Sequence, residues 1–267
     1  MVKRIMINLM SKKVLGIIII AVLTICIVVL TNSKNQTAKT DLSQSVIPTT
    51  SQTKTNSYLG IPCHNNPNPK FTHDLTEADK ILKITPNSLI ASKLQDRAFL
   101  WIDTAKAAKV PIYAPVDTDL VRGVYKMRIT QGQETVDYDL HFQVSCEVWF
   151  FINHISDPED KIKKFFPKTP ATNTSLENYT KFFPLLHFTA GELIGYTTGT
   201  VQAHNFDFAV FDLNHSNNLI GGGGSEDQRF KNFICPFDFL PNNLKSIYYQ
   251  KLIPDLIPES NCQNNER

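Results

Sequence analysis

Two polar residues in the C-terminal half of the chain have the type and spacing of a ligand-binding pair. Asn205 and Asp207 alternate with Phe206, Phe208 and Val210. A period of two is typical of a β-strand, so the apolar side chains share one face and the polar ones share the other. An apolar face packs a core. We therefore expect the polar face to line a groove, in which the Asp207 carboxylate offers an oxygen ligand.

Three glycines precede this strand at a regular interval. Gly191, Gly195 and Gly199 recur every fourth residue, with Leu193 and Ile194 between the first two. Glycine takes positive φ at no steric cost and is therefore favoured in tight turns. The spacing predicts short strands joined by such turns.

This order of glycines, gap and strand resembles the end of the lysostaphin-like (M23) peptidase domain. In that family the last strand reads H-x-H-F-E-V, and its two histidines serve as zinc ligand and catalytic partner. The matching run here is 205–210, so Asn205 and Asp207 stand at the two histidine positions.

The resemblance extends upstream and covers residues 110–210 with a gap. Ala114-Pro115 matches the family's A-P-x-G-T-P-V element, 139–144 match its V-V-I-x-H strand, and 149–155 match Y-x-x-Y-x-H-L. It implies the fold of that family, a β-rich sheet sandwich of the duplicated hybrid motif type.

The resemblance also implies a zinc site, which needs three protein ligands and an open position for water. The family's first two ligands come from an H-x-x-x-D motif before the A-P element, but residues 104–113 contain no histidine and Asp103 lies too far upstream. Asp207 occupies the third ligand position, and His154 matches the retained histidine of Y-x-H-L.

Few residues remain from which such a site could be rebuilt. His204 is three positions from Asp207 and would point off the other strand face. His141, on the strand that crosses the family's site, is the only additional candidate ligand. The remnant catalytic candidates are His154, Asn205 and Asp207, and the groove-binding candidates are these three with His141. We expect no cofactor; zinc belongs to the alternative that the chain is a divergent peptidase.

Many short apolar runs with turns between them favour a mostly β, antiparallel barrel-sandwich with small helical extensions. Strands are predicted at 99–102, 110–115, 120–124, 125–130, 138–144 and 147–155, with a turn at 131–133. Short helices are predicted at 77–83, 87–93, 159–166 and 242–252.

The N-terminal region predicts a membrane anchor. Lys3, Arg4, Lys12 and Lys13 precede the continuous apolar run 14–30. At about 1.5 Å per residue this run is just long enough for a transmembrane helix, and the positive charges indicate a cytoplasmic N-terminus. An uncleaved anchor is favoured over a signal peptide because no A-x-A site follows.

The predicted order is a basic cytoplasmic tail (1–13), one transmembrane helix (14–31), a disordered linker (32–57), an irregular and helical lead-in (58–98), a β core (99–220) with an insertion at 156–184, and a C-terminal extension (221–267). The glycine run 221–224 is interpreted as a hinge or wide turn, because no lysine and serine or threonine follow it as in a phosphate loop.

Composition excludes some classes of function. The 267 residues carry a net charge of +2, with scattered lysines and arginines, which argues against nucleic-acid binding. Cys26 lies in the apolar run; Cys63, Cys146, Cys235 and Cys262 form no C-x-x-C pair, so a zinc ribbon is disfavoured. In an exported domain they could form disulfides in three arrangements, or remain buried thiols.

The sequence thus predicts a single-pass membrane protein whose extracytoplasmic domain acts by binding. The resemblance implies cell-wall (peptidoglycan) peptides or an envelope hydrolase as partners, without a zinc site of the domain's own. Two alternatives remain: a divergent zinc peptidase acting on peptidoglycan, and an envelope domain of purely structural use. Fold alone does not decide between them.

Overall fold

Antiparallel strands make up most of the described chain. The computed structural model describes residues 61–87, 89–90, 93–130, 132–172, 178–216, 231–256 and 260–262. The strands are β1 (Ile81–Thr85), β2 (Leu89–Ile90), β3 (Lys93–Leu94), β4 (Ala98–Ile102), β5 (Val110–Tyr113), β6 (Thr118–Thr130), β7 (Gln133–Gln143), β8 (Val148–Ile155), β9 (Asp157–Pro158), β10 (Thr180–Phe188), β11 (Leu193–Thr197), β12 (Asn205–Asp212) and β13 (Phe233–Ile234).

The strands form three sheets. The largest has the order β1-β4-β12-β8-β7-β6-β10, with β13 also paired to β12. A second sheet has the order β5-β11-β9, and β2 pairs with β3. All pairings between these strands are antiparallel. The mostly β, antiparallel class is confirmed, and no sheet in the described ranges closes into a barrel.

The central strands of the large sheet, β8 and β12, are buried on both faces. Phe206, Phe208 and Val210 of β12 pack into the main core. The opposite face places Ala209 and Phe211 in a second apolar cluster, with Trp149, Phe151 and Phe233. Asp207 lies in the same row as Ala209 and Phe211. The predicted division of the strand into two faces is confirmed, but the polar face is buried.

Two predicted helices in the lead-in are wrong. Residues 77–83 form a 3-10 turn at Ala78–Lys80 and then β1, and the helix expected at 87–93 is replaced by β2 and β3. The reason is tertiary: β4 has an edge available for pairing, and β1 satisfies its own backbone groups there while burying Ile81 and Ile84.

Two other predicted helices are confirmed. α1 (Asp160–Lys163) lies within 159–166, and α2 (Asn242–Tyr249) within 242–252. Tyr248 of α2 is fully buried and stacks on Phe237 at 4.9 Å between ring centroids. None of the helices in the described ranges is long and apolar enough to cross a membrane. The predicted anchor, linker and glycine hinge lie outside the described residues.

Two of the three repeated glycines adopt the conformation that their spacing predicts. Gly191 and Gly199 have φ values of 83° and 68°. Gly195 is needed for another reason: a Cβ there would lie 2.5 Å from Pro158 Cα, so only glycine allows β9 to approach β11.

Four cysteines form two disulfides. Cys63 pairs with Cys146, and Cys235 pairs with Cys262. The first bond ties the start of the described chain to the β7–β8 turn, and the second ties the residues before Pro236 to the C-terminal end. This selects one of the three arrangements that the sequence left open.

Candidate functional site

Four strands and the residue before β4 bring a set of charged side chains together on one buried patch of the large sheet. Asp207 of β12 lies opposite Asn153 of β8, and Lys126 of β6 lies opposite Asp137 of β7. Asp139, His154 and, next to β4, Arg97 complete the set. We call these residues, with Asp96 and Arg128, the charged cluster.

His154 reaches the cluster because β8 has a bulge. Tyr138 pairs with Ile155 and Leu140 with Ile152, so Asn153 and His154 together oppose Asp139. His154 has a φ of 69°, unusual for a residue other than glycine. Its carbonyl accepts a hydrogen bond from Thr197 Oγ1. Regular alternation would place His154 with Phe150 and Ile152 in the main core; the bulge turns its ring toward the carboxylates instead.

Two carboxylates hold the His154 ring, which is only 4% exposed. Nδ1 donates to Asp137 Oδ2 at 2.7 Å, and Nε2 lies 3.5 Å from Asp207 Oδ2. Burial disfavours the charged imidazolium, but these two carboxylates outweigh it and raise the pKa of His154. The two acids therefore favour the imidazolium form, in which both ring nitrogens are directed at carboxylates.

Three side chains contact the Asp207 carboxylate. Its Oδ2 accepts from Arg97 Nη1 at 3.3 Å and Asn153 Nδ2 at 3.2 Å, in addition to the contact with His154. Burial acts against the charged form, but His154, Arg97 and Asn153 outweigh it and lower the pKa of Asp207 to about 2. Asp207 is an ionised carboxylate whose charge is already compensated by protein groups.

Lys126 is the basic partner of the other two buried acids, Asp137 and Asp139. Its ammonium donates to Asp139 Oδ2 and lies 3.8 Å from Asp137 Oδ1, and its side chain is 2% exposed. Complete burial raises the pKa of Asp139, and Lys126 offsets part of this effect. For Asp137, burial is outweighed by His154 and Lys126, so its pKa is lowered.

The cluster balances its own charge. Asp96, Asp137, Asp139 and Asp207 are four acids, while Lys126, Arg97 and Arg128 supply three permanent cations and protonated His154 a fourth. With all eight groups ionised, the four negative and four positive charges cancel. Such a network fixes the relative positions of its strands, and each of its acids lies beside at least one cation.

Three members of the cluster have the composition of a metal site. Ligand atoms of Asp137, Asp139 and His154 lie within 4.8 Å of one another, and all three residues are buried. However, Lys126 Nζ already bonds Asp139 and neighbours Asp137. A divalent ion would have to displace or deprotonate this buried ammonium. The residues therefore do not fit a metal ion in the arrangement observed.

In the described part of the chain, no other group of three or more His, Cys, Asp or Glu side chains lies close enough together to hold an ion. β4 is one of the two strands beside Asp207, and the residue that it places opposite the aspartate is Phe99, which is not a metal ligand. Residues 104–113, which the sequence analysis searched for ligands, instead lead into β5 of the second sheet. The Arg97 guanidinium occupies one side of the Asp207 carboxylate, with Nη1 3.3 Å from Oδ2.

The remaining sequence candidates lie outside the cluster. Asn205 Oδ1 accepts from Thr200 Oγ1 at 2.7 Å and closes the turn after Gly199. His141 lies near Arg122 Nη2 at 3.4 Å and among the rings of Trp149, Phe151 and Tyr179. His141, the additional candidate ligand, lies outside the group that His154 forms with Asp137 and Asp139.

Sequence reasoning missed Lys126, Asp137, Asp139 and Arg97. A signal for the first two was present. The turn predicted at 131–133 pairs Thr130 with Gln133, and counting back along both strands pairs Lys126 with Asp137. Arg97 and Asp207 are 110 residues apart, so no short sequence pattern indicates that their side chains are in contact.

Comparison with known proteins gives no assignment. A scan against protein-family models, a search of curated proteins and a search of solved structures found no match to this chain. The site must therefore be interpreted from its own chemistry.

The raised pKa of His154 predicts a pH dependence of stability. A raised folded-state pKa stabilises the fold below the unfolded value of about 6.5, and this contribution is lost as pH rises through the folded pKa. His154→Asn, which suits a positive φ, should cost about 1.5–3 kcal/mol at pH 6 and flatten the dependence above pH 6.5. Urea unfolding from pH 5.5 to 8.5 measures both the loss of stability and its dependence on pH.

The matched control is His204→Asn. His204 also has positive φ, at 49°, but its side chain is exposed and lies outside the cluster. This variant should keep the wild-type pH dependence. An unchanged slope in His154→Asn would contradict the assignment of a charged His154.

Proposed function

We propose that this chain is a membrane-anchored, extracytoplasmic binding module related in fold to lysostaphin-like peptidases, and that it binds cell-wall peptides or an envelope partner without a zinc site of its own. The observation that carries this proposal is the state of Asp207. Its carboxylate, at the position of a zinc ligand in the resemblance, is bonded by Arg97 and Asn153 and faces His154.

The chemistry of the charged cluster supports binding over catalysis. Metal-assisted hydrolysis needs an ion with an open position for water, and general-base catalysis needs an accessible base. Asp207 and His154 are both buried and each is paired with an opposite charge. Two disulfides support export, since such bonds persist in oxidising compartments.

One observation favours the alternative of a divergent metallopeptidase. Asp137, Asp139 and His154 lie close enough to share an ion. That function requires Lys126 to leave the acids when the metal binds. The two functions therefore differ in whether activity depends on metal.

Co-sedimentation with purified peptidoglycan sacculi tests the proposal. The full chain in mild detergent should be retained on sacculi equally with EDTA or with added Zn²⁺, and should release no soluble peptides. Retention that requires Zn²⁺, or release of wall fragments, would contradict it and favour the peptidase. A chain that stays soluble in both conditions would exclude wall peptides as the ligand and leave an envelope protein, such as a hydrolase, as the partner.

A further inference from the structure

A groove lies apart from the charged cluster, where the first described segment crosses the ends of β6, β7 and β10. It has a volume of about 460 Å³ and is flanked by a smaller cavity of about 250 Å³. Both are lined by His64, Asp119, Gln143 and Val144. This site was not suggested by any sequence motif.

Gln143 is the unusual residue of this groove. It is 6% exposed, yet neither Nε2 nor Oε1 of its carboxamide has a hydrogen-bond partner among the described residues. Burying an amide without partners is destabilising, so such a group requires an explanation. A ligand that supplies one acceptor and one donor side by side would satisfy both atoms, and a peptide group does so.

Carboxylates lie beside this amide. Asp119 is the direct cross-strand neighbour of Gln143, and its Oδ1 accepts from His187 Nδ1 at 3.0 Å. Asp117, also in the lining, accepts from the backbone N–H of Ala190 at 2.8 Å. Within the described residues, the other oxygen of each carboxylate accepts no hydrogen bond, so each offers it to a ligand. With Lys70 as the only lysine or arginine in the lining, the two acids leave the groove with a net negative charge when its histidines are neutral.

The walls of the groove are held in place without a ligand. Cys63 is bonded to Cys146, and the His64 carbonyl accepts from the Cys146 N–H at 2.8 Å. The Asn66 N–H donates to Glu147 Oε2 at 3.0 Å, and the Thr72 N–H donates to the Pro115 carbonyl at 2.8 Å. A preformed wall reduces the ordering cost of binding.

We propose that this groove is a binding site for an amine-bearing peptide segment, with a peptide group of the ligand on the Gln143 carboxamide and its ammonium beside Asp119. The inference rests on the proposed peptide-binding function and deepens it, because it names the site and the charge of the ligand. The charged cluster, in contrast, holds the sheet together and does not contact the ligand.

The test uses a tripeptide amide, blocked at its N-terminus, with a central lysine. Ligand-observed NMR titration of the full chain should give saturable binding, and the same peptide with central norleucine should bind at least ten-fold more weakly. Gln143→Leu should weaken lysine-peptide binding by about ten-fold or more and also raise Tm by about 2–6 °C, since it removes an unsatisfied buried amide. Gln133→Leu, at the exposed start of the same strand, is the matched control and should change neither quantity.

The combination of lost binding and gained stability separates a ligand site from a structural role. Equal binding by Gln143→Leu, equal binding of the norleucine peptide, or no binding by the wild-type chain would each overturn the proposal. If Gln143→Leu fails to fold, Asp119→Asn replaces it and should weaken lysine-peptide binding by about ten-fold, whereas undiminished binding would overturn the proposal.

Sacculus retention, measured in parallel, distinguishes the two proposals. Retention without peptide binding in the groove removes only the groove inference. Peptide binding that depends on Gln143, without retention on sacculi, keeps the groove and contradicts cell-wall peptide as the natural ligand.

Discussion

Replacing Lys126 with methionine is expected to lower the free energy of unfolding by about 3–5 kcal/mol at pH 7. Methionine keeps most of the side-chain volume but removes the ammonium that bonds Asp139 and neighbours Asp137. Both carboxylates are buried. Asp139 would lose its closest cation, and Asp137 would keep Arg128, at 3.2 Å, and His154. Urea unfolding followed by circular dichroism measures the loss.

The loss in Lys126→Met should depend on pH in a defined direction. Without the ammonium, the pKa of each carboxyl rises in the folded state, so stability is recovered as pH falls and is lost as pH rises. The loss should therefore be smaller at pH 4 than at pH 8. Lys163→Met is the control: Lys163 also pairs with an acid, Asp157 at 2.7 Å, but is 40% exposed, so less than about 1 kcal/mol is expected. Equal effects of the two substitutions would contradict the description of a buried charge network.

Removal of the Cys63–Cys146 disulfide is expected to have the other large effect. The bond closes a loop of 83 residues, and the entropy of the unfolded chain that it restricts corresponds to about 4–5 kcal/mol. Replacing both cysteines by serine should lower the free energy of unfolding by that order. Thermal and urea unfolding of the double variant measure the change.

The second disulfide provides an internal comparison. Cys235 and Cys262 are 27 residues apart, so their removal should cost less, about 3–4 kcal/mol. A larger loss for the shorter loop would show that native-state packing around Cys262, and not chain entropy, determines the stabilisation. Reduction of the wild-type chain should approach the combined loss of both variants.

Much of the sheet could be predicted from local patterns, because the alternation in β12 and the turn before β7 are properties of short segments. The structure of the lead-in (58–98) could not be predicted in this way. Residues 77–93 have partly helical spacing, yet the unsatisfied edge of β4 recruits β1 as a strand. Such a choice depends on a partner that is distant in sequence, which a local pattern does not contain.

The candidate site, like the fold, could be predicted from the sequence only in part. Asp207 and His154 were identified from the strand patterns and the resemblance, and the structure places them 3.5 Å apart. Their chemistry was not predictable, because it depends on cations from β6 and from the residue before β4. Arg97 pairs with Asp207 and Lys126 pairs with Asp139, so these potential metal ligands are ion-paired within the protein.

The metal content of the purified chain tests the central claim most directly. The full chain is incubated with excess Zn²⁺, desalted, and measured by atomic absorption, together with Asp207→Ala and His154→Ala. We predict that the wild-type chain retains far less than one zinc per molecule, because Arg97 and Lys126 already neutralise the acids. Near-stoichiometric zinc in the wild-type chain that disappears in either variant would contradict the account and establish a metal site at the charged cluster.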